Sequence, residues 1–82
     1  MSTPYHRFRV RYFEANAIIK FAEKHQYPSL GYHAIDEARS LPHYIIGMDE
    51  EDMIMLKLKS PTHYDMMTEK EITEEEEFDA IF

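Results

Sequence analysis

The sequence has no cysteine, no tryptophan, two glycines and four prolines among its 82 residues. Without cysteine there is no disulfide framework, no thiolate zinc site and no cysteine nucleophile. Gly31 and Gly47 are too few and too far apart for a glycine-rich phosphate loop. Ser2, Ser29, Ser40 and Ser60 stand in no nucleophile elbow. Apolar runs last only a handful of residues, so no membrane-spanning helix is expected. Met1-Ser2-Thr3-Pro4-Tyr5 lacks the apolar core of a secretory signal. The expectation is therefore one small domain in the cytoplasm. At this length it buries only about 60% of its unfolded surface and gains from a partner.

Charge is the next feature. The formal net charge is −7, and it is unevenly placed. Residues 1–68 carry eight Lys/Arg against nine Asp/Glu, while residues 69–82 carry Lys70 against seven acids. The reading is a near-neutral α+β domain over 1–68 followed by an acidic tail over 69–82. That distribution argues against the whole surface imitating nucleic acid.

Tyr5 to Phe13 alternates, with Arg7, Arg9 and Arg11 on one side and Phe8, Val10 and Tyr12 on the other. Period two with aromatic and β-branched residues predicts a half-buried strand. From Glu14 to Gln26 the period becomes 3.6, with Ala15, Ile18, Ala22 and His25 on one stripe, so a helix follows. Pro28 and Gly31 mark its exit. A short strand is expected over 31–38, broken near Arg39-Ser40, and a better one over Leu41 to Met48 with Pro42 at its start. Residues 53–59 read as helix or strand. Asp49 as cap, acids in the first turn and Lys57 and Lys59 in the last favour helix. Thr62 to Met67 could add an edge strand, and the chain beyond Thr68 reads as solvated. The order β-α-β-β-α, with a last edge strand, is that of a small ferredoxin-like sandwich with one face of its sheet open.

Few residues invite chemistry. His6, His25, His33, His43 and His63 never take the i,i+4 spacing of a helical zinc motif. His33 and His43 could meet across neighbouring strands, but two nitrogens do not complete a zinc shell. No metal, no other cofactor and no catalysis are expected. The Arg7/Arg9/Arg11 row places three cations about 7 Å apart on an open face, a candidate anion-binding surface. The aromatics of that strand have the opposite parity, which counts against base stacking there. Met53/Met55 and Met66/Met67 are read mainly as core filling. In the tail, Glu74, Glu75, Glu76 and Glu77 precede Phe78, Asp79, Ile81 and Phe82. An acidic lead with apolar anchors is a short protein-binding motif, and these eight residues are the candidate partner-binding set.

Two stretches resemble known families. Asp49-Glu50-Glu51-Asp52-Met53-Ile54-Met55-Leu56-Lys57-Leu58 is similar to a segment of small accessory proteins of tailed bacteriophages, with Leu56 where those have Phe. Glu77-Phe78-Asp79-Ala80-Ile81-Phe82 is similar to the C-terminal sliding-clamp-binding peptides of phage polymerases and late-transcription co-activators. In such peptides Ile81 and Phe82 would match the paired apolar anchors and Asp79 the acid before them; Glu77 replaces the Gln that opens the bacterial version. The resemblance implies a non-enzymatic accessory protein in the cytoplasm of a host cell, binding and inhibiting or redirecting a host or phage machine such as a restriction, nuclease or transcription system. The other function class is a small nucleic-acid-binding module using the arginine row. Pairing with a copy of itself is a further expectation, and a membrane is not.

Overall fold

The computed structural model describes residues 4–35 and 42–81, and the chain is α+β. Its elements are β1 (Tyr5–Arg11), α1 (Tyr12–Lys24), β2 (Gly31–Ile35), β3 (His43–Asp49), α2 (Glu50–Lys59), α3 (Pro61–Thr68), β4 (Glu71–Ile72) and α4 (Glu74–Ile81). The sheet runs β2-β3-β1-β4 with every neighbouring pair antiparallel. The β1–β3 register spans seven pairs, from Tyr5 opposite Asp49 to Arg11 opposite His43.

Alternation on β1 decides the two faces. Phe8 and Val10 are fully buried on the inner face, beside Ile46 and Met48 of β3. The 3.6-residue stripe of α1 lays Ala15, Ile18, Ile19 and Ala22 on that face. Met53 and Leu56 of α2 and Met67 of α3 close the same core. Burial of such side chains contributes roughly 1.5–3 kcal/mol each.

The end of α1 is built from backbone. Tyr27 N–H donates to the carbonyl of Ala22 and Gln26 N–H to that of Glu23, each at 3.1 Å, with Gln26 at φ 57°. This is a Schellman closure with a left-handed residue where glycine is usual. The next turn is tied to α2. Asp49 caps that helix by accepting from Asp52 N–H at 2.9 Å. Buried Asp52 in turn accepts from the Ser29 N–H at 3.0 Å and from its hydroxyl, whose oxygen accepts from Asp49 N–H at 2.9 Å. A buried carboxylate with several donors is satisfied rather than stranded.

Several expectations are corrected. Residues 62–67 form helix, not an edge strand. Pro61 occupies the first position of α3, where its missing N–H costs nothing, and Ser60 accepts from Tyr64 N–H at 3.1 Å. The edge strand is β4, within the segment expected to be solvated, and α4 follows it. Residues 53–59 are helical, the alternative favoured by the capping acids. Met55 is 40% exposed, so the methionines divide between core and surface. The outer sheet face is only partly open. Ile35 and Ile45 are buried there, outside the main core. Tyr5 lies across Gly47, where an added Cβ would stand 2.7 Å from Tyr5 Cζ. The expected break at Arg39-Ser40 lies outside the described residues.

Phe8→Ala and Ile18→Ala should each lower unfolding free energy by about 2–5 kcal/mol in urea titrations, because each empties a closed part of the core. Gln26→Gly should instead raise it by about 0.5–1 kcal/mol, since glycine adopts the left-handed conformation without a Cβ penalty.

Candidate functional site

The acidic helix α4 starts with a reciprocal cap. Thr73 N–H donates to Glu76 Oε1 at 3.2 Å, and Glu76 N–H donates to Thr73 Oγ1 at 3.1 Å. This capping box orders residues 73–76, and the acids of the first turn sit at the positive end of the helix. Glu74, Glu75 and Glu76 are exposed. Glu77 reaches back to the sheet and accepts from Arg7 Nε at 2.7 Å. The two side chains are only 20% and 23% exposed, so this pair is better shielded than an ordinary surface ion pair. The Arg7 guanidinium also lies over the Tyr5 ring, 5.1 Å from its centroid.

The structure thus brings Arg7 and Glu77 together and leaves Glu74, Glu75, Glu76, Phe78, Asp79, Arg9 and Arg11 exposed. Phe78 is 61% exposed, and Asp79 is exposed beside it. Arg9 and Arg11 are exposed on the outer face, and Arg9 N–H donates to the carbonyl of Lys70 at 3.1 Å. Ile81 closes α4, and Phe82 lies outside the described residues. The Tyr5 hydroxyl has its pKa raised chiefly by burial and then by Glu77, with Arg7 opposing and Asp49 adding a lesser rise. Its neutral form therefore predominates well above neutral pH.

A second exposed surface was not anticipated. Ile54 (52% exposed) and Leu58 (73%) stand one turn apart on α2, with Met55 between them. Their i,i+4 spacing puts both on one side of α2. Lys57 lies beside them, its Nζ 5.4 Å from the Tyr64 ring centroid.

A cleft of about 260 Å³ lies where the inner face of β1 meets α2 and α3, lined by His6, Phe8, Met53, Lys57, Tyr64 and Thr68 among others. His6 is clasped there. Its Nδ1 is 2.8 Å from Glu71 Oε2 and its Nε2 is 3.4 Å from Glu50 Oε2. The hydrogen bond to Glu71 is the main reason its pKa is raised above 6.5; that to Glu50 and the two negative charges add to it, while partial burial opposes them. No sequence signal points to this clasp, because its carboxylates are 44 and 65 residues away. His33 and His43 lie on adjacent strands but are not direct partners, since His33 faces Ile45 and His43 faces Ile35. Among the described residues no group of three His, Asp or Glu is placed to hold a metal ion, and no helix is long and apolar enough to cross a membrane. Comparison of the chain with protein-family models, curated proteins and solved structures finds no match.

His6 links protonation to folding. A pKa higher in the folded than in the unfolded chain stabilises the protein fully below pH 6.5. That contribution is lost as pH rises through the folded value. Urea unfolding at about pH 6 and about pH 8 should therefore show wild type losing more stability over this interval than His6→Gln. An equal loss in both proteins would mean that the clasp does not act on folding.

Proposed function

We infer that the chain is a non-enzymatic accessory protein that acts by binding another protein, with α4 as its contact element. The observation carrying this reading is Phe78, a large apolar side chain 61% exposed on an ordered acidic helix. Arg7–Glu77 and the β1–β4 pairing hold that helix to the sheet, so the ring is presented from a fixed base. Preorganisation of this kind lowers the entropy lost on binding. Glu74, Glu75 and Glu76 form a charged rim that would steer a basic partner. The α+β body is the platform, and its strand order with β1 and β3 central supports a ferredoxin-like sandwich. The resemblance of 49–58 to tailed-phage accessory proteins supports action on a host or phage machine in the host cytoplasm.

The nucleic-acid reading is less favoured. Arg7 spends its Nε donor on Glu77, and four consecutive glutamates lie near the arginine row. Phosphates would meet that field before reaching Arg9 or Arg11.

Phe78→Ala should weaken capture of a specific partner from bacterial lysate by at least about tenfold, a loss of about 1.4 kcal/mol. Its melting temperature should stay close to wild type. Replacing Glu74, Glu75 and Glu76 by Gln should chiefly slow association, more at low salt. Undiminished capture by Phe78→Ala would refute the assignment of α4. Salt-sensitive binding of DNA or RNA oligomers by the wild type would favour the nucleic-acid module instead.

A further inference from the structure

We propose that the free edge of β2 pairs antiparallel with β2 of a second copy of this chain, with His33 on the two-fold axis. The hydrogen-bond parity of the sheet identifies the groups available. Arg9 N–H donates to Lys70, so the odd residues of β1 turn their backbone groups toward β4. The even positions turn toward β3, as the bonds from Glu50 N–H to the Pro4 carbonyl and from Tyr12 N–H to the Pro42 carbonyl show. His43, Ile45 and Gly47 must then turn toward β2, where they face Ile35, His33 and Gly31. Tyr32 and Ala34 are left with N–H and C=O directed away from the sheet. Among the described residues no strand pairs with that edge.

Within its described residues the edge lacks the charged and proline residues that commonly discourage strand addition. Gly31–Ile35 contains no lysine, no carboxylate and no proline, and Tyr32, His33 and Ala34 are all exposed. A register centred on His33 pairs all five residues. Tyr32 meets Ala34 of the second copy, and the reverse, so both outward residues on each copy exchange two bonds, four across the interface. The same pairing sets a large side chain against a small one on the inner face. Glu23 accepts from the Tyr32 hydroxyl at 3.0 Å and holds that ring in place.

Among self-contacts, this edge keeps the acidic C-terminal segments of the two copies farthest apart, with Glu23 the acid held nearest to it. With a net charge of −7, two copies repel wherever their acids approach. The acidic β4–α4 segment borders the opposite edge of the sheet, about 14 Å from β2 at about 4.8 Å per strand. In the paired sheet the two β4 strands would lie about 34 Å apart. That is several times the Debye length of about 8 Å at physiological salt, so the repulsion is screened. Pairing through β2 also leaves Phe78 and α4 accessible.

Sedimentation velocity of the full chain, from about 1 to about 200 µM, should show mass rising from 9.8 kDa toward twice that value. Ala34→Pro removes one outward N–H from each copy and so two of the four bonds, without touching the β3 ladder. It should sediment as a monomer throughout, with unchanged circular dichroism. Amide exchange gives a test needing no variant. The Tyr32 and Ala34 amides should slow as concentration rises, while the His33 amide, bonded to β3, should not change. A wild type monomeric at every concentration would overturn the proposal, as would a variant that dimerises as tightly or exchange at Tyr32 and Ala34 that ignores concentration. Dimerisation abolished by Leu58→Glu but not by Ala34→Pro would place the contact on α2 and equally overturn it.

Discussion

The register between β1 and β3 is the constraint on which the rest of the molecule depends. Seven consecutive antiparallel pairs fix which residues of β1 face the helices and which face outward. A slip by one residue would exchange Phe8 and Val10 for arginines in the core, a change no other contact could offset. Because β1 is also flanked by β4, its outward parity places Arg7 within reach of Glu77. The same register sets Tyr5 over Gly47, a position where any side chain would collide with the ring. Core, ion pair and tyrosine are consequences of one alignment.

The acidic C-terminal segment shows how short-range order offsets unfavourable charge. Four adjacent glutamates repel one another, yet their position in the first turn of α4 lets the helix dipole and the capping box compensate part of that cost. Glu77 is drawn out of the run by Arg7, which neutralises a partly buried cation. A buried ion pair by itself contributes little net stability, because both groups lose hydration. Its more definite effect is positional, since it fixes the side of the sheet along which α4 lies and hence where Phe78 emerges.

Much of this was legible in the sequence, for identifiable reasons. The β1 alternation and the α1 stripe are local periodicities, and they produced Phe8, Val10, Ala15, Ile18 and Ala22 as buried residues. Tyr12, expected on the inner side of the strand, instead opens α1 and is 40% exposed, and His25 is only half-buried. Asp49 and the first-turn acids correctly resolved 53–59 as helix because capping chemistry acts within one turn. The reading failed where local and tertiary signals compete. Thr73 followed by Glu76 is a capping box in plain view, but a run of glutamates suggests solvation more strongly than helix. Two residues of β4 are too few for any periodicity to register, and that strand exists only because β1 offers an edge. The clasp on His6 depends on Glu50 and Glu71 arriving from distant elements, so no spacing rule could find it. Of the candidate site, Phe78 and its acidic lead were visible in advance, whereas the pairing that orients them was not.

The central claim is that residues 70–81 are part of the fold and are held to β1. Its most direct measurement is hydrogen exchange at the Arg9 amide, which donates to the carbonyl of Lys70. That amide turns toward β4 and away from β3, so its protection reports on the C-terminal segment alone. The account predicts exchange slowed well below the random-coil rate under native conditions. It also predicts loss of that protection when the chain is cut after Glu69, with the Phe8 and Val10 amides remaining protected by β3. Exchange of the Arg9 amide at the random-coil rate in the intact chain would contradict it.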